Sequence, residues 1–328
     1  MESHAKKLAT ILRKRSVRAL EVARKDVKQE HLQSEQAKNA LALYTKDWCN
    51  IIHPGLISLA GEATDADSGA VLRAQTAMLF LTAAFDIHDD IIDRSSVKNG
   101  KPTVFGKFGT DIALLVGNAF LVKGFTSLIS LEEFIPMEKT KRIFLVAKEA
   151  FFKIGDAHAL EISIRNQKEV SLDKYWNVVN MKSQGLQADA KIGALLSMTT
   201  EGNVEAMAAY GQAIGELEIL RDDFIDIYDP EELHSRIGTE WPPLPILYAF
   251  QDKKMRSRIQ EMIHEGMSKK ETNLVVDCIM ESREVHQLVQ EMRKIMDNAN
   301  KAVNTLPNSE AKQTMLDLAQ IMLEDLDE

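Results

Sequence analysis

Two stretches of the chain carry the same arrangement of carboxylates, Asp89-Asp90-Ile91-Ile92-Asp93 and Asp222-Asp223-Phe224-Ile225-Asp226. Each is Asp-Asp-x-x-Asp inside an apolar run with helical patterning. Residues i and i+4 share a helix face, so Asp89 stacks over Asp93 and Asp222 over Asp226. Like charges at that spacing repel, and a carboxylate in apolar surroundings is costly unless a cation joins it. Hard divalent ions with oxygen ligands suit such a patch, and Mg²⁺ is held by one or two carboxylates together with substrate phosphates. Two such patches facing each other would hold several ions with a diphosphate between them. A solvated acidic helix face explains one motif equally well, but it explains two copies of one spacing poorly.

Metals clamped on a diphosphate neutralise its developing charge and make it a good leaving group. If the other half of the substrate is an allylic carbon, departure leaves a resonance-stabilised carbocation. An apolar cavity that excludes water then decides whether the cation is alkylated, cyclised or deprotonated. A lysine near the metals would complete the clamp as a point charge on phosphate. Lys182, which interrupts a helical run at Asn180-Met-Lys-Ser-Gln-Gly, and Lys98, five residues past Asp93, are the candidates. The ordinary alternative for either is a solvated side chain.

The elements that position these groups read as helices throughout. Residues 3–48 form one or two amphipathic helices with a basic start (Lys6, Lys7, Arg13, Lys14, Arg15, Arg18). Such a helix either rests on an anionic membrane surface or, more ordinarily, packs with a solvated face. Pro54 opens a helix over about 54–63, and an apolar helix runs from Ala70 to Asp93. Carboxylates at its C-terminal end oppose the helix dipole, a local rule broken for function rather than stability. A polar loop covers 94–103, followed by helices at about 107–131, 138–167, 171–201 and 203–228. A second loop covers 229–242, the Pro242-Pro243-Leu244-Pro245 cluster starts a helix running to about 251, and further helices follow at about 253–265, 268–298 and 308–326. No strand alternation competes. The expected architecture is a single large all-α bundle over 1–328, with 1–48 as its N-terminal helices and the active cleft between two facing helices.

Composition narrows the class. A net charge of −9 argues against a nucleic-acid binder. Two cysteines give neither a disulfide framework nor a thiolate metal pattern, and no unbroken apolar run reaches membrane-spanning length. These features lead to the expectation of a cytoplasmic protein with at most peripheral membrane contact. A di-iron carboxylate bundle needs two Glu-x-x-His pairs and only Glu261–His264 fits, while a calcium EF-hand needs Gly where the second motif has Ile227.

Asp89–Asp93 followed by Asn99-Gly-Lys-Pro-Thr103, and Arg221–Asp226 followed by Pro243-Leu-Pro-Ile-Leu-Tyr-Ala249, resemble the trans-isoprenyl diphosphate synthases, or polyprenyl synthetases. The resemblance runs from about His53 to Phe250 and includes Lys182-Ser183. It implies the all-α isoprenoid synthase fold, a homodimer, and three Mg²⁺ bound by Asp89, Asp90, Asp93, Asp222, Asp223 and Asp226 around an allylic prenyl diphosphate. Lys182 would contact that diphosphate, and Lys98 stands where an Arg does the same. Phe85, one turn before Asp89, stands where a bulky residue limits product length; plain core is its alternative.

The departures fall on the second substrate's side. The family's Gly-Gly-Lys-Arg-x-Arg-Pro segment, which grips isopentenyl diphosphate, reads Trp48-Cys-Asn-Ile-Ile-His-Pro54 here. The expected Lys is Asn50 and the second Arg is His53; a His expected seven residues before Asp89 is Thr82. Asn99 replaces an Arg after the first motif, and Glu218-Ile219 replaces Phe-Gln before the second. Glu218, one turn before Asp222, would accept a proton or hold a cationic acceptor, or simply pair with Arg221 or a neighbouring Lys. Losing several charged phosphate contacts, each worth about 1.5–3 kcal/mol, weakens that site severely. The sequence therefore suggests an enzyme that ionises an allylic diphosphate without adding isopentenyl diphosphate, cyclising or eliminating as a terpene synthase or prenylating another acceptor. An ordinary chain-elongating prenyltransferase and a non-catalytic subunit of a heteromeric synthase are the alternatives.

Overall fold

The computed structural model describes residues 4–46, 48–98, 100–164, 171–230, 233, 236, 242–264 and 266–324. Helices dominate, and they group into two compact units, the first made of residues 1–147, 189–204 and 308–311, the second of 148–188, 205–307 and 312–328.

In the first unit, α1 (His4–Lys28) and α2 (Glu35–Lys46) precede α3 (Ile52–Ala63) and α4 (Ser68–Ile92). The Asp67 side chain caps α4 by accepting from the backbone N–H groups of Gly69 and Ala70, both at 2.9 Å. Nearly the whole circumference of α4 is apolar, and it is buried accordingly among α1, α3 and α5 (Val104–Ile129). Phe80 of α4 and Phe120 of α5 stack at 6.1 Å, and Trp48 and Tyr44 close the cluster at 5.4–5.9 Å. Such ring pairs add about 0.5–1.5 kcal/mol each beyond the area they bury. They anchor the helix that ends in the first acidic motif. The loop expected over 94–103 contains a small hairpin, β1 (Val97–Lys98) paired antiparallel with β2 (Lys101–Pro102). Two residues per strand are too few to show alternation in sequence.

Helix α6 (Met137–Ile164) runs from the first unit's residues into those of the second. The single helix expected over 171–201 is two, α7 (Leu172–Lys182) and α8 (Gln184–Leu195), divided at Ser183. Helix α9 (Glu201–Asp226) ends in the second acidic motif. Among the described residues the helices that follow are α10 (Leu244–Ala249), α11 (Lys253–Met262), α12 (Lys269–Met280) and α13 (Arg283–Asn304). Here also one expected helix, 268–298, is two, because Ser282 accepts from the Glu284 N–H and starts α13 afresh. Helix α14 (Glu310–Glu324) closes the described chain. In the second unit Tyr210, fully buried, donates its hydroxyl to the Met315 carbonyl at 2.7 Å, fixing α14 to α9.

Among the described residues two helices, Ser68–Ile92 and the stretch Val104–Glu133, are long and apolar enough to cross a membrane by length and composition. The first is mostly buried, whereas only 33% of the second's most apolar window is.

Candidate active site

The first motif occupies the last turn of α4. Asp93 is its C-cap, and its N–H donates to the Asp89 carbonyl at 2.8 Å. Asp90 is the buried member, 8% exposed. Burial raises its carboxyl to about 6, the charges of Asp86, Asp89 and Asp93 push the same way, and Lys98 opposes them. Lys98, on β1, also opposes the rise at Asp86. The hairpin thus brings Lys98 to the acidic end of α4, where sequence spacing placed it. Phe85 is half-buried one turn before Asp89.

The neighbouring groups in the first unit were not all foreseen. Asp86 accepts from the Tyr44 hydroxyl at 2.8 Å, and burial raises its carboxyl. His88 sits against Gly117 so closely that a Cβ there would fall 2.5 Å from its Nε2. Burial lowers the His88 imidazole, although hydrogen bonds involving Asn118 and Leu114 counter this. The residues standing at the altered acceptor positions are engaged locally. Thr82 donates its hydroxyl to the Met78 carbonyl at 2.9 Å. His53 Nδ1 lies 2.5 Å from Oδ2 of Asp189, and Oδ1 of that fully buried carboxylate has no hydrogen-bond partner among the described residues. The same holds for Oδ1 of Asn50. Asn99 lies outside the described residues.

In the second unit the motif ends α9. Asp222 is exposed, Asp226 half-buried and Asp223 buried at 4%. Asp223 is held from three directions: by the Tyr175 hydroxyl, by the Leu244 N–H at 3.1 Å and by Arg236 Nη2 at 3.0 Å. Arg236 also donates through Nη1 to Asp226 at 2.5 Å. Its guanidinium pKa is raised: burial opposes the charge, and Asp223 leads the groups that outweigh burial. Arg236 was missed in sequence because it falls in the stretch 229–242, which carries no helical periodicity. Lys182, the last residue of α7, pairs with Glu161 at 2.7 Å. Its helix stops where α9 crosses, since a Cβ on Gly215 would fall 2.9 Å from Ser183 Cα. Glu218 is half-buried one turn before Asp222.

Both motifs offer oxygen ligands alone, the donor set Mg²⁺ prefers. The buried Asp90 is disfavoured as an anion by its surroundings, a cost that a bound cation would offset. Among the described residues no three His, Cys, Asp or Glu side chains already converge on one point to hold an ion. The carboxylates therefore fit the ion by chemistry while gathering around it would require side-chain movement.

Comparison with known proteins places these motifs in a family. The profile described as polyprenyl synthetase matches residues 30–280. Octaprenyl diphosphate synthase of Haemophilus influenzae is 23% identical over 281 residues, covering 83% of each chain. Geranylgeranyl diphosphate synthase of Methanosarcina mazei is 32% identical over 187 residues, covering 57% of each. Among solved structures, geranylgeranyl pyrophosphate synthetase of Pyrococcus horikoshii superposes with a TM-score of 0.85 at 21% identity, covering 98% of this chain and 99% of that one. A polyprenyl synthase of Caulobacter crescentus, complexed with calcium and isoprenyl diphosphate, gives 0.78 at 18%, covering 97% of each. The fold is the all-α isoprenoid synthase fold. With more than two thirds of its length matched and both acidic motifs in place, the chain belongs to the polyprenyl synthetase family.

Proposed function

We propose that the protein is a chain-elongating trans-prenyltransferase, which ionises an allylic prenyl diphosphate and joins the prenyl group to a second, diphosphate-bearing isoprene unit. The observation that carries this reading is the pair of Asp-Asp-x-x-Asp helix ends in a chain whose relatives over most of its length are named prenyl diphosphate synthases. Asp89, Asp90 and Asp93, and likewise Asp222, Asp223 and Asp226, would hold Mg²⁺, three ions in all. Bound there, Mg²⁺ would neutralise charge on the departing diphosphate. Asp90 would give up its proton to solvent in order to serve as an anionic ligand. Arg236 would release Asp226 to the ion, while Tyr175 and the Leu244 N–H would keep Asp223 aimed. Lys182 exchanges its Glu161 partner for a phosphate oxygen, and Lys98 brings a second positive charge to the first motif. Phe85 limits the length of the growing chain.

A homodimer is part of this reading. Leu114, Leu115, Val122 and Ile129 on α5, with Leu145 on α6, are each between 47% and 62% exposed. An apolar set of that kind on one helix pair suits cover by a second copy. A cytoplasmic location is part of the reading as well, and what supports it is that Cys49 and Cys278 form no disulfide with each other.

A terpene synthase, or prenylation of another acceptor, is the second reading. It is favoured by Asn50, His53 and Thr82, none of which offers the permanent cation that a second diphosphate calls for. One assay separates the two. The protein is incubated with Mg²⁺ and geranyl, farnesyl or geranylgeranyl diphosphate, each with and without isopentenyl diphosphate, and products are followed by mass spectrometry. A longer prenyl diphosphate formed only with isopentenyl diphosphate is the expected result. Hydrocarbon or alcohol from one substrate alone would overturn it in favour of the terpene synthase.

A further inference from the structure

The first helix carries a charge pattern that prenyl transfer does not use. Residues 4–46 contain eleven Lys and Arg against four Asp and Glu, a formal +7 within a chain of −9, which leaves −16 on the remainder. Burial of Leu8, Leu12, Ala19, Leu20, Ala23 and Val27 fixes the inward side of α1. At 3.6 residues per turn, Lys14, Arg18, Lys25 and Lys28 then line the opposite side, and all four are exposed. Glu21 is interspersed among them. None of the four has an ion-pair partner among the described residues. Nearby cations on the unit's other faces do: Arg15 pairs with Glu62 at 2.8 Å and Lys123 with Glu30 at 2.5 Å. Lys28 also borders a cleft of about 680 Å³ between α1 and α2, whose lining combines Lys38 and Lys46 with the apolar Val27 and Leu41.

We propose that this side of α1, with the cleft it borders, docks on an anionic lipid surface. Each cation held near an anionic leaflet strengthens binding by about fivefold, and the effect fades within a Debye length. The remainder of the chain carries the opposite net charge, so attraction to such a surface is confined to this segment. Val17, 45% exposed and adjacent to the basic row, and the apolar cleft wall suit a partner with an apolar layer beneath its charges. Nucleic acid offers charge without that layer.

Sedimentation of the full-length protein with vesicles tests the proposal and does not depend on its catalytic activity. Cosedimentation with phosphatidylglycerol-containing vesicles, its absence with pure phosphatidylcholine, and its loss in high salt are expected. The triple variant Lys14→Gln/Arg18→Gln/Lys25→Gln should partition at least about tenfold more weakly while melting at the wild-type temperature. The charge-preserving Lys14→Arg/Lys25→Arg should bind as the wild type does. Equal partition onto both vesicle types, or triple-variant binding undiminished, would overturn the proposal. So would a duplex DNA probe or inorganic phosphate that binds as tightly as the anionic vesicles through the same three residues.

Discussion

His53 Nδ1 lies 2.5 Å from Asp189 Oδ2, tying the start of α3 to α8. Burial raises the Asp189 carboxyl, and the nearness of His53 and the hydrogen bond to it oppose that rise. An imidazole is a weaker and pH-dependent stand-in for the guanidinium that the family resemblance leads one to expect there. His53→Arg would keep a partner in Asp189 and add a permanent cation. If the second substrate carries a diphosphate bound near α3, its KM should fall about tenfold with kcat little changed, the value of one charge-assisted contact. Steady-state kinetics with isopentenyl diphosphate as the varied substrate decide this, and an unchanged KM would remove His53 from the acceptor site.

Asp90 makes the free protein's stability depend on pH in an unusual direction. Its carboxyl titrates near 6 rather than 3.8, so the folded state holds a proton that the unfolded chain has already lost between those values. The contribution favours folding at low pH and is lost as pH rises through about 6, a swing on the order of 3 kcal/mol at most. Asp90→Asn should therefore raise the melting temperature of metal-free protein at about pH 8 and leave it nearly unchanged at about pH 4. Mg²⁺ competes with the proton for the same oxygens, so it should stabilise the wild type more at the higher pH and do little for the variant. Melting curves with and without Mg²⁺ at the two pH values check both statements. A pH-independent difference between wild type and variant would contradict them.

Arg236 is the second motif's internal counter-ion, bridging Asp223 and Asp226. Removing one member of a buried charge set leaves the others uncompensated, at a cost of about 3–5 kcal/mol. Arg236→Gln should lose much of that stability in metal-free buffer and recover part of it with Mg²⁺, which supplies the missing positive charge. The wild type should gain less from Mg²⁺, because the ion must first displace the guanidinium. If Mg²⁺ stabilises both proteins equally, the arginine and the ion do not share the second motif's carboxylates.

The chemistry of the site was more legible than its surroundings. A repeated Asp-Asp-x-x-Asp spacing survives inspection because i and i+4 on a helix are fixed by backbone geometry alone. The Ser268-x-x-Glu271 capping box that starts α12 is equally local, whereas the break at Ser282 lacks the Gly or Pro that announces a stop, and at Ser183 the nearest Gly, Gly185, falls inside α8 rather than at the break. What the sequence hid was set by tertiary packing. Glu161 reaches Lys182 from another helix, and Asp189 meets His53 from 136 residues away. Asp86 on α4 takes its hydroxyl partner, Tyr44, from α2. Periodicity describes which face of a helix is buried, but the polar partner that a buried carboxylate finds depends on which helix packs beside it.

Phe85 lies half-buried on α4 one turn ahead of Asp89, and therefore on the side of the helix from which a diphosphate-anchored prenyl chain would extend. Because it is only partly buried, Phe85→Ala should cost less than the roughly 3–5 kcal/mol of a fully buried Phe→Ala change. The space vacated is enough for additional isoprene carbons, so the variant should accept or produce a longer prenyl chain than the wild type. Chromatography of dephosphorylated products reads the length directly. A variant that folds normally and gives the wild-type chain length would assign Phe85 to core packing alone and move the length limit elsewhere in the pocket.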